Sequence, residues 1–117
     1  MKIFISGKIT GLPREEVVEK FAKAQAELEA LGYTVLNPTI LPPEGFKHSD
    51  YMHICKAMID VCEVIVYLPD WPDSKGARME YEYAERTGKK MYSINADMII
   101  DRIEKEPVED KAFESYT

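Results

Sequence analysis

Cysteine is scarce in this 117-residue sequence, which contains only Cys55 and Cys62. The two lie seven positions apart, near a helical repeat, and neither belongs to a CxxC pair. This spacing argues against a disulfide framework and against a cysteine metal site. We therefore expect two buried thiols and no metal site.

The sequence also lacks an apolar run approaching the roughly 20 residues that a membrane span requires. Its first residues, MKIFISG, enter a strand-like pattern directly, without a basic segment followed by a long apolar one. These absences predict a protein without a membrane segment, and we expect it in the cytoplasm.

An excess of basic residues is missing as well, since 21 acidic and 15 basic residues give a net charge of -6. A protein that binds a nucleic acid polymer over a broad surface needs a basic patch, so this class of partner is not expected. A small phosphorylated ligand is compatible with the charge, because a few backbone amides at one helix terminus can hold a phosphate group.

What is present is an alternation of strand-like and helix-like segments. Short apolar runs predict strands at 2–6, 33–37, 63–68 and 90–94. Apolar spacings of three and four predict three helices. They lie at 14–31, from a Ser49 or Asp50 cap to about Asp60, and from Lys75 or Gly76 onward after an Asp73 or Ser74 cap. Residues 96–104 fit either a last helix or a short strand.

This order predicts one α/β domain over 1–117, with a core at about 1–103 and a polar tail at 104–117. We expect a three-layer α/β/α sandwich of flavodoxin-like or Rossmann-like type, with a parallel sheet of four or five strands. Ligands of such sheets bind beyond the carboxyl ends of the strands. The loops at 7–13, 37–49 and 69–76 lie there, so we expect the functional site among them.

The first of these loops, Ser6-Gly7-Lys8-Ile9-Thr10-Gly11, places glycines, hydroxyls and a lysine directly after a strand. Backbone amides in such a loop can surround an anion. Neither the P-loop pattern nor the GxGxxG pattern is present. Glycines that serve only the turn explain the loop equally well, and both interpretations stay open.

Glu80 lies on the flank of the small-residue face of the third predicted helix. Gly76 and Ala77, one turn earlier, leave space above its carboxylate, and the helix N-terminus favours the ionised form. An ionised carboxylate with an open approach suits a nucleophile. The alternative is a boundary glutamate paired with Arg78 or Lys75, which is the commoner role of a helical glutamate.

The segments SGKITG and VIVYLPDWPDSKGARMEYEYAERTGKKMY resemble the nucleoside 2-deoxyribosyltransferase family, and more closely its small bacterial and phage relatives. The resemblance covers about residues 1–94, and the S-x-G-A-x-x-E run at 74–80 is its most specific part. It implies that Glu80 attacks the anomeric carbon and holds the sugar as an ester, as an oxocarbenium-like transition state allows. It also implies a homodimer or larger homo-oligomer, and a substrate- and phosphate-binding set of Ser6, Gly7, Lys8, Thr10, Gly11, Asp73, Ser74, Gly76 and Ala77.

Two positions depart from the family pattern. Cys55 stands where the family has a helix aspartate, and Phe4 stands where it has a tyrosine on the first strand. Protonation of the leaving base then falls to His48, His53 or Tyr51, provided that the long loop folds over the site.

Trp71, at the tip of the loop after the third strand, is a candidate for stacking on a base, or for packing against the long loop or a second subunit. The resemblance leads us to expect an enzyme that cleaves the N-glycosidic bond of a deoxynucleoside or its 5′-monophosphate, or that transfers the 2-deoxyribosyl group. Such an enzyme is expected to need no metal ion and no redox cofactor. A non-catalytic nucleotide-binding module and a phage-type accessory protein on the same fold are the alternatives.

Overall fold

The central feature is a five-stranded sheet, described by a computed structural model for residues 1–95 and 100–102. Its strands are β1 (Lys2–Ser6), β2 (Thr34–Leu36), β3 (Val64–Tyr67), β4 (Lys90–Ile94) and β5 (Ile100–Arg102). They lie in the order β2-β1-β3-β4-β5, with β1 to β4 parallel and β5 antiparallel to β4. The predicted parallel four-stranded sheet is confirmed, and the fifth strand reverses its direction.

Three α-helices connect the parallel strands: α1 (Arg14–Ala30), α2 (His48–Asp60) and α3 (Lys75–Arg86). Short 3-10 turns cover Pro38–Ile40 and Trp71–Asp73. Helix α2 begins before the expected Ser49 or Asp50, because the Asp50 carboxylate accepts the Lys47 amide at 3.0 Å from inside the first turn. Helix α3 begins at Lys75 as predicted, since the Ser74 hydroxyl accepts the amide of Ala77.

The helices cover both faces of the sheet. On one face, Val17, Phe21, Ala24 and Leu28 of α1 pack against Ile3, Ile5, Val64, Val66, Leu68 and Ile94. On the other, Cys55, Ile59 and Ala84 of α2 and α3 pack with Cys62 against Phe4, Ile65, Tyr67 and Met91. The predicted three-layer sandwich is therefore confirmed.

Alternation along β1 decides which of its side chains reach the site. Ile3 and Ile5 point to the α1 face, so Phe4 and Ser6 point to the face that carries α2 and α3. Ser6 is the last residue of the strand and pairs with Tyr67, the last residue of β3. The hydroxyl of Ser6 is thereby buried under the carboxyl edge of the sheet.

The segment expected to form a helix or strand at 96–104 contains β5, and its other residues, like the tail at 104–117, lie outside the described residues. Among the helices that the structure describes, none has the length and apolar character needed to cross a membrane.

Candidate active site

The carboxyl ends of the parallel strands border a cavity of about 720 Å³, within the roughly 300–1,000 Å³ range of small-molecule sites. From the loop after β1 and from α1, it is lined by Gly7, Lys8, Ile9, Thr10, Gly11, Leu12, Arg14 and Val17. From the loops after β2 and β3 and from α2 and α3, it is lined by Pro38, Leu41, Pro42, Pro43, His48, Tyr51, Met52, Cys55, Asp73, Ser74, Lys75, Gly76, Ala77 and Glu80. The three loops singled out in the sequence thus surround one cavity.

Glu80 lines this cavity and is 7% exposed. Its helix is fixed by Ala77 and Ala84, whose small side chains are buried and hold this side of α3 close to the protein interior. The hydroxyl of Ser6 donates to Oε1 of Glu80 at 2.6 Å, and Cys55 lines the same cavity with its thiol close enough to act on the pKa of this carboxylate as a hydrogen-bond donor. Three elements that are distant in sequence therefore meet at one acid.

Burial raises the pKa of Glu80 to about 7, and the hydrogen bonds from Ser6 and Cys55 oppose part of that rise. Burial, followed by the charge of Glu80, raises the pKa of the Cys55 thiol, which stays neutral and able to donate. The helix N-terminus was expected to keep Glu80 ionised, but the pKa of this carboxyl group is raised. Desolvation dominates, so the carboxyl group exchanges its proton near neutral pH.

The alternative role for Glu80, a surface ion pair with Arg78 or Lys75, does not match the structure. The guanidinium of Arg78 donates to the carbonyl of Pro72 at 2.6 Å. Within the described ranges, the ion pair that the structure contains joins Lys20 and Asp70.

The loop after β1 is shaped largely by contacts within the protein. A Cβ at Gly7 would lie 2.8 Å from Cδ1 of Leu68, so only glycine allows this close packing. The amide of Lys8 donates to Oδ1 of Asp70 at 3.0 Å, which occupies one of the amides proposed to surround an anion. Gly11 has a φ of 87°, a left-handed conformation that favours glycine. The turn interpretation therefore accounts for Gly7 and Gly11.

The first turn of α3 offers a second polar wall. Asp73, Ser74, Lys75 and Gly76 line the cavity there. Helix geometry leaves the N–H groups of a first turn without partners inside the helix, and the helix dipole favours a negative group near them. The Ser74 hydroxyl already accepts the amide of Ala77 at 3.1 Å and retains its own proton for donation.

Two predicted site residues lie away from the cavity wall. Ser6 is 0% exposed and reaches the cavity only through Glu80. The ring of Trp71 stacks on Tyr81 with centroids 4.9 Å apart and contacts Tyr67 at 5.0 Å. The structure therefore places the Trp71 ring in an aromatic cluster, and Trp71 is not among the residues that line the cavity.

Arg14 lines the cavity and was not predicted from the sequence, nor was its contact with the loop after β2. Nη2 of Arg14 donates to the carbonyl of Thr39 at 2.7 Å, and the hydroxyl of Tyr51 donates to the carbonyl of Pro42 at 2.6 Å. Arg14 and the buried Val17 are three residues apart and both line the cavity. This helical spacing could have indicated that Arg14 lies on the inward face of α1.

Residues of the long loop line the cavity, among them Pro38, Leu41, Pro42 and Pro43. Two of the three candidate proton donors, His48 and Tyr51, line the cavity, whereas His53 is exposed and lies outside the lining. Across residues 1–95 and 100–102, the structure contains no group of three or more His, Cys, Asp or Glu side chains that could hold a metal ion.

The fold and this cavity define a three-layer α/β protein with a buried acid at the carboxyl edge of its sheet. The chain belongs to the family described as a domain of unknown function, DUF4406, whose model matches residues 1–93. No curated protein matches the sequence.

Among solved structures, the chain is similar to the CMP N-glycosidase BcmB of Clostridium botulinum. The TM-score is 0.59 at 19% sequence identity, over 85% of this chain and 75% of that chain. Because the identity is this low, the similarity establishes a common fold and nothing about the reaction.

Proposed function

We propose that this protein cleaves the N-glycosidic bond of a deoxynucleoside or its 5′-monophosphate, or transfers the 2-deoxyribosyl group, with Glu80 as the nucleophile. The observation that carries the proposal is the Glu80 carboxylate, which lines a cavity of small-molecule size while Ser6 holds one of its oxygens at 2.6 Å. A fixed carboxylate facing a partly desolvated cavity is the arrangement that covalent catalysis at an anomeric carbon needs.

In the first step, an oxygen of ionised Glu80 forms a bond to the anomeric carbon of the sugar. The bond from that carbon to the base nitrogen breaks, and its electron pair leaves with the base, which takes up a proton. In the second step, water or another base attacks the same carbon and gives up a proton to the group that protonated the leaving base. The ester bond to Glu80 breaks, and the carboxylate is regenerated. His48 and Tyr51 line the cavity as candidate proton donors to the leaving base.

The cavity has a polar side and an apolar side that suit the two ends of a nucleotide. Lys8, Thr10, Ser74 and the first turn of α3 form the polar side, where a 5′-phosphate is proposed to lie. The apolar side, proposed for the base, consists of Pro38, Leu41, Pro42, Pro43 and Met52.

The similarity to a protein described as a CMP N-glycosidase supports testing ribonucleotides beside deoxyribonucleotides. The departures at Phe4 and Cys55 favour, as a second candidate, a nucleotide-binding module without catalysis. Both candidates use the same cavity, and they differ in whether the glycosidic bond breaks.

The experiment incubates the protein with each deoxynucleoside and with each deoxyribonucleoside and ribonucleoside 5′-monophosphate, and measures free base by chromatography. We expect base release that rises with pH through about 7, because the nucleophile must be ionised. The variant Glu80→Gln should lose release by about 10³-fold or more. Glu82→Gln, an exposed acid on the same helix, is the matched control and should retain the activity of the original protein.

Base release that survives in Glu80→Gln would contradict the proposal. If no base appears but a nucleotide raises the melting temperature by mass action, the binding module is the correct candidate. If neither occurs at millimolar nucleotide, both candidates fall and an accessory role on this fold is left.

A further inference from the structure

The Glu80 carboxylate is surrounded by uncharged hydrogen-bonding groups from three different elements. Ser6 comes from the end of β1, Cys55 from α2 and Tyr67 from the end of β3, and each of these residues is buried. Ser6 donates to the carboxylate at 2.6 Å, and Cys55, which lines the cavity beside Glu80, acts on the pKa of the carboxylate as a hydrogen-bond donor. Tyr67 lies close enough that the charge of Glu80 acts on its phenol.

Each of these groups keeps its proton at neutral pH. Burial, and after it the charge of Glu80, raises the pKa of Cys55 and the pKa of Tyr67 above their ordinary values. Tyr67 makes no hydrogen bond through its hydroxyl among the residues that the structure describes. The charged or titratable side chains that share the cavity with Glu80 are Lys8, Arg14, Asp73, Lys75 and His48, together with Tyr51 and Cys55.

Neutral donors have a specific effect on a buried acid. Desolvation favours the protonated acid, and a hydrogen bond donated to the carboxylate favours the ionised one. A second carboxylate at position 55 would act in the opposite direction, since two acids in contact cannot both ionise readily. A protonated thiol at this position supports ionisation of Glu80 without adding a like charge.

We propose that Ser6 and Cys55 are positioning residues that act as paired neutral donors, fixing the orientation of the Glu80 carboxylate and favouring its ionised, nucleophilic form against desolvation. This inference rests on the proposed role of Glu80 and deepens it. Ser6 acts entirely through Glu80, because it is fully buried and does not line the cavity. Cys55 stands where the family that the sequence resembles has an aspartate, and here it acts as a neutral hydrogen-bond donor.

The test measures the ionisation of Glu80 directly. Protein labelled with ¹³C at the glutamate carboxyl carbons is titrated by NMR, and the Glu80 signal is identified as the one missing from Glu80→Gln. The variants are Ser6→Ala, Cys55→Ala and Cys55→Ser. The matched control is Cys62→Ala, which removes the other buried thiol of the same cluster, just beyond the Val61 cap of α2.

We expect Ser6→Ala and Cys55→Ala each to move the titration midpoint of Glu80 upward by about one pH unit or more, because a hydrogen bond to a charged group is lost. Cys55→Ser keeps a donor and should lie nearer to the original protein than Cys55→Ala. Cys62→Ala should leave the midpoint unchanged. Circular dichroism of each variant shows that it is folded before it is titrated.

A second measurement determines the rate of base release, as a function of pH, from the nucleoside 5′-monophosphate that the protein cleaves fastest. The rising limb of the pH–rate profile should shift with the NMR midpoint, and Ser6→Ala should lower kcat while leaving KM nearly unchanged. Unchanged midpoints in both alanine variants, or an equal shift in Cys62→Ala, would overturn the inference. If the midpoints shift as expected but no variant and no original protein releases base, the positioning pair stands and the proposed reaction falls.

Discussion

Gly76 lines the cavity, and its lack of a side chain leaves open space between α3 and the residues of α2. A Cβ at this position would lie 3.7 Å from Sδ of Met52 and 3.8 Å from Cε1 of His48, which are ordinary contact distances. The protein therefore has room for an alanine there. The added methyl group would lie at the part of the cavity wall that Met52 and His48 of α2 share with α3.

We expect Gly76→Ala to increase the free energy of unfolding by up to about 1 kcal/mol, because alanine loses less conformational freedom in a helix than glycine does. The same variant should weaken nucleotide binding by about tenfold, since overpacking one methyl group costs roughly 1–3 kcal/mol. Chemical denaturation measures the first effect and calorimetric titration the second. Glu82→Ala, exposed on the same helix, is the control for helix propensity. Unweakened binding by a stabilised Gly76→Ala protein would show that the ligand does not approach this wall.

At the residue scale, the sequence singled out Glu80 as a candidate but gave no indication of its surroundings. Spacing placed Glu80 beside Gly76 and Ala77, one turn into a helix, and the structure keeps it there. Its partner Ser6 is 74 positions away, and no local pattern connects the two. Long-range packing set its pKa in the opposite direction from the helix dipole, so this property was not predictable from neighbouring residues.

At the scale of elements, the loop between β2 and α2 is held as a fixed wall of the cavity. Asn37 caps its first turn by accepting the amide of Thr39 at 2.9 Å and donates to Gln25 of α1 at 3.0 Å. Arg14 and Tyr51 donate to carbonyl groups farther along the loop. Side chains from the two flanking helices therefore hold a segment that has little regular structure of its own.

Removal of one of these tethers should loosen the wall selectively. In Arg14→Ala we expect faster amide hydrogen exchange in residues 39–45, because two carbonyl groups lose their charged donor. The KM for a nucleotide should rise several-fold, while the affinity for ribose 5-phosphate, which has no base to contact the wall, stays the same. Hydrogen exchange by mass spectrometry and inhibition constants measure the two effects. Lys23→Ala removes an exposed charge from the same helix as a control, and equal exchange in both variants would contradict the tethering role.

Element boundaries followed from the sequence wherever a local signal existed. Strands β1 and β4 have the predicted bounds, and α3 begins at Lys75 behind its Ser74 cap. The start of α2 was misplaced because Asp50 caps the helix from within its first turn, an arrangement that resembles an N-cap in sequence. The direction of β5 was also open, since strand pairing depends on the connection that precedes it and not on the strand itself.

At the scale of the whole molecule, burial of Glu80 links folding to pH. Its pKa is raised from 4.5 in the unfolded chain to about 7 in the folded protein. The folded state therefore binds more protons than the unfolded state between these values, and stability falls as pH rises through that window. The stability associated with neutral Glu80 is present below about pH 4.5 and is lost by about pH 7.

Glu80→Gln should remove this dependence, because a neutral amide of similar size occupies the same site. The free energy of unfolding of the variant minus that of the original protein should rise by up to about 3 kcal/mol between pH 4.5 and pH 8, because only the original protein loses the contribution of neutral Glu80. Denaturant unfolding at closely spaced pH values measures the difference, in which contributions from other groups cancel. Glu82→Gln should show a flat difference over the same range. A flat difference for Glu80→Gln as well would mean that the folded protein does not perturb this acid.

The sequence by itself determined the elements of this protein and the edge of the sheet that carries the cavity. Apolar periodicity, helix caps and the order of strands and helices are local properties, and connection rules turn that order into a parallel α/β sandwich. Only the tertiary structure decided the pKa of Glu80 and the position of its carboxyl group at the cavity. Burial and contacts with Ser6 and Cys55 across the fold set its pKa near neutrality and direct it into the cavity, because desolvation depends on everything packed around a group and not on its neighbours along the chain.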